Sequence, residues 1–186
     1  MKAKKRIIIS IIVFMLFGIS ILFFMYLKKP SLNVSELIEK ENISDLSLTI
    51  YYMSPYTLTY IPVSSVEDLI SQCDEKIVIN GSELEEHIDL FKQINNDVLV
   101  PVKKKTKDLN LRIYYILESK KNGKLFDAAM WGEEDDEESI IVNEFEVKGN
   151  NIFYDVIIPF LPEDKAKELE KFIRDGFVLS DAYLQA

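Results

Sequence analysis

The chain carries few of the side chains that nucleophilic catalysis requires. His87 is the only histidine among 186 residues, so a Ser–His or Cys–His relay would have to use it. It lies between Leu84 and Phe91 at the border of an apolar helical face, where a histidine satisfied by a nearby carboxylate is the simpler interpretation. Cys73 precedes Asp74, whose negative charge is expected to raise the pKa of the thiol. We therefore expect an unreactive cysteine.

Motifs for metals and cofactors are also missing from the sequence. There is no G-x-S-x-G elbow, no H-E-x-x-H pair, no phosphate-binding glycine loop and no C-x-x-C pair. The acidic run at 133–138, EEDDEE, lacks the alternating spacing that folds oxygen ligands around Ca²⁺, so we interpret it as a solvated loop. The sequence predicts no metal, no cofactor and no enzymatic activity. Carboxylate-only hydrolysis stays open, because its two acidic groups can be far apart in a chain.

Aromatic side chains form the one concentration of residues that could bind a ligand. Tyrosines cluster in 51–60, and a tryptophan follows on a neighbouring predicted strand. Such a patch is typical of surfaces that stack on sugars or anchor a protein partner. The alternative is that half of these rings belong to the sheet core and the others cover its far face. The candidate binding residues are Tyr51, Tyr52, Tyr56, Tyr60 and Trp131.

Residues 7–27, IIISIIVFMLFGISILFFMYL, carry no charge. At about 1.5 Å per residue, a helix of this length is about 30 Å long, enough to cross a hydrocarbon core. The run is preceded by a basic cluster, which predicts a cytoplasmic N-terminus and an exported C-terminal body. That cluster consists of Lys2, Lys4, Lys5 and Arg6.

A cleaved signal peptide is the alternative to an uncleaved anchor. The apolar run is longer than a usual signal core, and no small-x-small cleavage pattern follows it before Lys28. We therefore predict a single-pass membrane protein in four parts. These are a cytoplasmic stub at 1–6, a transmembrane helix at 7–27, a linker with a short stalk helix at 28–42 and an extracytoplasmic domain at 43–186.

The body of the chain is strongly acidic. Residues 1–29 contain six of the 22 basic residues and no acidic one. The remainder of the chain therefore contains 16 basic and 31 acidic residues, which gives it a net charge of −15. A surface of this sign repels phosphate backbones. Nucleic-acid binding by the body is thus disfavoured, and the lipid bilayer is expected to contact the chain through residues 7–27.

Alternating apolar and polar residues predict an antiparallel sheet. Residues 46–53 alternate with period two, Ser54-Pro55 turns the chain, and 56–61 alternate on the way back, which predicts a hairpin. The β-branched run at 76–79 is typical of a buried strand. Further strands are predicted at 98–102, 109–117 and 124–131, with a type I′ turn at Asn122-Gly123, and at 140–147 as a strand or a small hairpin.

Capping residues place the helices. Asn33 is expected to cap a helix at 34–41, and the pairs Ser65/Asp68 and Ser82/Glu85 are capping boxes. Residues 152–160 fit a helix slightly better than a strand, and Pro162 begins a last helix that Gly176 is expected to end. Together the elements predict an α+β domain, a mainly antiparallel sheet with helices packed on one face.

Several segments are similar to a family of small membrane-anchored or lipoprotein-like proteins of low-GC Gram-positive bacteria that carry a domain of unknown function. The resemblance covers 43–173, and it implies a cell-envelope location but no catalytic residues. Lipid-modified members differ from this chain, since no cysteine follows its apolar run. The segments that carry the resemblance are YYMSPYTLTYIP, ELEEHIDLFKQI, AMWG, IIVNEFEV and FYDVIIPFLPED.

These observations favour a non-enzymatic module that binds a cell-surface protein or wall component. One alternative is an immunity or inhibitor protein whose acidic surface caps a basic partner, with affinity that falls as salt rises. Another is a carboxylate-dependent wall hydrolase, which requires a cleft with two close carboxyl groups.

Overall fold

The computed structural model describes residues 32–102, 109–131 and 139–183, together with Met15. The chain divides into two compact units, Met1–Ser31 and Leu32–Ala186, and the second unit holds the sheet and helices named below. The predicted stub at 1–6, the membrane span at 7–27, the first residues of the linker and the acidic run at 133–138 lie outside the described residues, apart from Met15. Within the described ranges, no helix combines the length and apolar character needed to cross a bilayer.

A six-stranded antiparallel sheet forms the centre of the domain and confirms the α+β prediction. Its spatial order is β2-β1-β3-β4-β5-β6, so four consecutive strands form a meander and β2 lies beyond β1 at one edge. The strands are β1 (Leu46–Tyr52), β2 (Glu75–Asn80), β3 (Leu111–Ser119), β4 (Gly123–Trp131), β5 (Ser139–Val142) and β6 (Phe145–Lys148).

Short helices and one long one surround this sheet. They are α1 (Val34–Ile38), α2 (Val66–Gln72), α3 (Gly81–Glu85), α4 (Ile88–Phe91), α5 (Ile152–Asp155) and α6 (Glu163–Tyr183), with 3₁₀ turns at Ile43–Asp45 and Ile158–Phe160. Residues 152–160 therefore form a short α-helix, a turn and a 3₁₀ turn, and the strand alternative is wrong. The helix expected to end at Gly176 continues to Tyr183.

Both faces of the sheet are covered. Alternate residues of β1, among them Leu48 and Ile50, point into the larger core with Phe91, Phe153 and Leu169 from the surrounding helices. The smaller cluster on the opposite face contains Leu69 of α2, together with Met53, Val63, Leu111, Tyr114 and Ala129. Helices consequently do not all pack on one face, because α2 covers the second one.

The hairpin predicted at 46–61 is wrong. Each edge of β1 is already paired, since Ile50 lies opposite Ile77 of β2 on one side and opposite Tyr115 of β3 on the other. Residues 53–64 therefore find no free edge beside β1, and they form an irregular connection to α2. The strand expected at 98–102 is also reduced, to a single bridge between Pro101 and Val147.

Positive backbone angles lie at a different turn from the one predicted. In the β3–β4 hairpin only Gly123 has a positive φ, of 70°, so Asn122-Gly123 is not a type I′ turn. Asn143 and Glu144, between β5 and β6, have φ values of 46° and 70°. Two consecutive positive φ angles are the signature of a type I′ turn, and this turn makes 140–147 a hairpin.

Two of the three predicted caps form. The side chains of Asn33 and Ser65 accept hydrogen bonds from the backbone N–H groups of Glu36 and Asp68, as expected. The Ser82 box does not form, because α3 begins two residues earlier than the box requires, with Asn80 at the N-cap position. This start presses Gly81 against the backbone of the preceding 3₁₀ turn at Ile43–Asp45.

Gly81→Ala is expected to lower the free energy of unfolding by roughly 3 kcal/mol, because the added Cβ would overlap the carbonyl oxygen of Ile43. The matched control is Ser82→Ala, which removes an exposed side chain that caps nothing and should change stability by less than about 0.5 kcal/mol. Urea unfolding followed by circular dichroism measures both variants. Wild-type stability in Gly81→Ala would contradict this packing.

Candidate functional site

The main exposed apolar feature of the described chain is the connection between β1 and α2, here called the 54–62 loop. Leu58 and Ile61 are 98 % and 79 % exposed, and Tyr60 is fully exposed. Tyr56 is half exposed. No charged residue occurs anywhere in 53–66, so these side chains meet water without a charged neighbour in their own segment. Exposed apolar side chains concentrated in one segment are typical of interaction sites.

A buried arginine holds the underside of the loop. Arg112 is only 5 % exposed, and its Nη2 donates a 3.1 Å hydrogen bond to the carbonyl oxygen of Thr57 and a 3.5 Å one to Oγ1 of Thr59. Its Nη1 donates to the carbonyl oxygen of Leu111 at 3.3 Å and lies 3.4 Å from the sulfur of Met53. Hydrogen bonds from a charged group are stronger than neutral ones, so this guanidinium fixes the loop backbone.

The position of Arg112 follows from an irregularity in β3. Leu111 lies opposite Trp131 of β4 and Ile113 lies opposite Met130, so Arg112 is the extra residue of a β-bulge. A bulge changes the direction of a side chain relative to regular alternation. Here it brings the guanidinium beneath the 54–62 loop.

Both ends of the loop are tied to the domain. At the first end, the backbone N–H of Ser54 donates to Oδ2 of Asp74 at 2.8 Å, and the Ser54 hydroxyl donates to the carboxylate of Glu168 on α6. At the second end, the buried Val63 donates to Oδ1 of Asn110 at 3.3 Å and accepts from the Leu111 N–H at 2.8 Å. Hydrogen bonds therefore hold the loop at both of its ends and at Thr57, while the side chains of its tip, Leu58, Tyr60 and Ile61, extend into solvent.

Tyr52 belongs to the core and not to a binding surface. Its ring is fully buried, and its hydroxyl donates to Oε2 of Glu168 at 3.0 Å. Burial, followed by the charge of Glu168, raises the pKa of Tyr52 well above its usual value. Lys165 lies on the same side, 3.9 Å from the Glu168 carboxylate and 5.9 Å from the centre of the Tyr52 ring.

The other predicted binding residues do not form one patch. Tyr51 lies on the opposite sheet face from Tyr52, stacked on Tyr114 with 5.9 Å between ring centres, because consecutive strand residues alternate. Tyr56 and Tyr60 both belong to the 54–62 loop. The backbone of Trp131 ends β4, and its side chain lies outside the described part of the chain.

Tyr56 connects the loop to α6. Its ring meets Phe172 edge-on, with 6.0 Å between centres, and the ammonium group of Lys171 lies 5.9 Å from its centre. Below this contact is a small cavity of about 10 Å³, lined by Pro55, Arg112, Ile113, Met130, Tyr154, Leu169 and Phe172. It has space for about one water molecule, which is too little for a substrate.

Sequence reasoning missed Leu58, Ile61 and Arg112. The signal that could have shown the first two is the absence of charge from 53 to 66 in a strongly acidic body. Arg112 had no such signal, since a single arginine within a predicted strand is normally placed on its solvated face.

The surroundings of His87 and Cys73 do not prepare either side chain for catalysis. His87 packs edge-on against Phe160, with 5.5 Å between ring centres, in place of the carboxylate contact expected from the sequence. Burial raises the pKa of the Cys73 thiol, and Asp74 adds to this effect, which confirms the predicted direction. Among the described residues, no three His, Cys, Asp or Glu side chains are grouped so as to hold a metal ion.

Comparison with known proteins adds no relative to this picture. No protein-family model matches the chain, and no curated protein or solved structure matches it significantly.

Glu168→Ala is expected to lower the free energy of unfolding by about 2 kcal/mol, because the buried Tyr52 hydroxyl loses its acceptor. The control is Glu170→Ala, on the exposed side of the same helix, for which a change below about 0.5 kcal/mol is expected. Adding Tyr52→Phe to Glu168→Ala should recover part of the loss, since it removes the unsatisfied hydroxyl. Equal stability of Glu168→Ala and Glu170→Ala in urea would refute this account.

Proposed function

We propose that the chain is a non-enzymatic binding module at the cell membrane, anchored by residues 7–27, with its acidic domain outside. The observation that carries the binding role is the 54–62 loop, which exposes Tyr56, Leu58, Tyr60 and Ile61 together. The partner is a protein or wall component of the cell surface. Tyrosine is enriched among the few residues that supply most of the binding energy in protein interfaces.

The way the loop is held supports this role. A mobile loop would lose conformational entropy on binding, whereas this loop backbone is already held by the hydrogen bonds from Arg112 to the Thr57 carbonyl and from the Ser54 N–H to Asp74. Because its ends are already held and its tip is exposed, the loop can contact a partner with a small loss of conformational entropy.

The location rests on the uncharged run at 7–27 and on the basic residues before it. Protease added to intact protoplasts that express the full chain should digest the body and leave a membrane-embedded fragment. Full protection of the body would contradict the orientation. Mature protein that starts after Lys29 and is released into the medium would contradict the anchor.

The binding role is tested with Leu58→Ser combined with Tyr60→Ser in the full-length, membrane-bound chain. After chemical cross-linking in cells, we expect recovery of the bound partner to fall at least about tenfold, because two large apolar anchors are lost. The matched control combines Val78→Ser with Val100→Ser, which also removes two exposed apolar side chains, but outside the loop. If the loop variant recovers as much partner as the wild type, the proposed binding role of the loop is wrong.

A further inference from the structure

We infer that the 54–62 loop inserts into an apolar pocket of a protein partner, and that the pocket is bordered by basic side chains where it faces α2. This inference rests on the proposed binding function and specifies the chemistry of the partner. It follows from the shape of the loop, from the charges beside it and from the poor fit of the other occupants.

The shape of the loop indicates a concave partner. Its tip, with Leu58, Tyr60 and Ile61, projects into solvent, while Met53 and Val63 on either side are buried. A projection held at both ends presents its apolar surface on several sides at once. Only a recess in the partner can remove all of these sides from water.

The charges around the loop are distributed unevenly. On the α2 side, the exposed Glu67 and Asp68 follow the loop directly in the chain, and the exposed Asp74 accepts a hydrogen bond from Ser54 at its base. On the α6 side, Lys171 is placed over the Tyr56 ring, and the carboxylate at the loop base, that of the half-buried Glu168, accepts hydrogen bonds from the Ser54 and Tyr52 hydroxyls. When a partner pocket covers the tip, the border of that pocket comes close to the carboxylates of Glu67, Asp68 and Asp74. Basic side chains at that part of the border would complement their negative charge.

Other occupants fit these observations less well. Lipid surfaces with anionic headgroups are repelled by the carboxylates beside the loop and by the net charge of −15 outside residues 1–29. A second copy of the chain would bring two such acidic bodies together. Leu58 and Ile61, half of the exposed set, offer a sugar neither a hydrogen bond nor a flat ring.

Site-specific photo-cross-linking tests the inference in the full-length chain, in membranes of cells that naturally express it. The probe is p-benzoylphenylalanine substituted for Tyr60, with the same probe at Phe145 as the control, because Phe145 is an exposed aromatic residue outside the loop. We expect a protein adduct from position 60 and none from position 145. Peptide mapping should place the attachment in an apolar pocket with Lys or Arg at its border.

Charge substitutions provide the second arm of the test. Glu67→Lys with Asp68→Asn should reduce the adduct at position 60 by at least about fivefold, because repulsion replaces attraction at the pocket border. The control pair is Glu83→Lys with Asp89→Asn, which makes the same charge change at exposed positions of α3 and α4 and should leave the adduct unchanged.

The outcomes separate this inference from the proposed function. An adduct with lipid, an adduct of twice the chain mass, or a protein adduct insensitive to Glu67→Lys with Asp68→Asn overturns the inference alone, since the loop would still be the contact. Absence of any adduct at position 60, together with partner recovery unaffected by Leu58→Ser and Tyr60→Ser, overturns both.

Discussion

The domain depends on the fact that β1 is paired along both of its edges. With β2 on one side and β3 on the other, the backbone groups of β1 are used, and no strand can be added beside it. The chain that leaves β1 must therefore satisfy its backbone elsewhere. It does so through Arg112, Asp74 and Asn110, while the side chains of Leu58, Tyr60 and Ile61 remain in water.

The sheet could be predicted from the sequence because most strands have a buried face. Leu46, Leu48 and Ile50 of β1 alternate with polar residues, and the second half of β3 alternates between buried and half-buried residues. The same rule fails at 56–61, where Tyr56, Leu58 and Tyr60 alternate just as regularly. Alternation records which residues share a face of an extended segment, and it contains no information about whether a neighbouring strand edge is free.

The type of a turn and the first residue of a helix also could not be predicted from local sequence alone. The pair Asn122-Gly123 has the composition of a type I′ turn, yet the two consecutive positive φ angles occur at Asn143-Glu144. Asn143 accepts a hydrogen bond from the Asp127 N–H at 2.9 Å, a contact with a strand that precedes it by 16 residues. The start of α3 at Gly81 likewise depends on a close approach to Ile43. Local composition cannot encode these distant contacts.

The candidate site was predicted in part. Tyr56 and Tyr60 lie in the exposed loop, whereas Tyr52 is in the core, where it bonds to Glu168, 116 residues further along the chain. Distinguishing these tyrosines requires the fold, because the sequence presents them as one cluster. The residue that orders the loop, Arg112, is directed by a β-bulge that has no sequence signal of its own.

The 54–62 loop is thus exposed and ordered at the same time. Exposure follows from the occupied edges of β1, and order follows from the hydrogen bonds of Arg112 to Thr57 and Thr59. The most direct measurement is ¹⁵N relaxation of the backbone amides from Leu58 to Ile61 in the wild-type chain. We predict order parameters close to the sheet value of about 0.85, and values below about 0.6 would contradict an ordered loop.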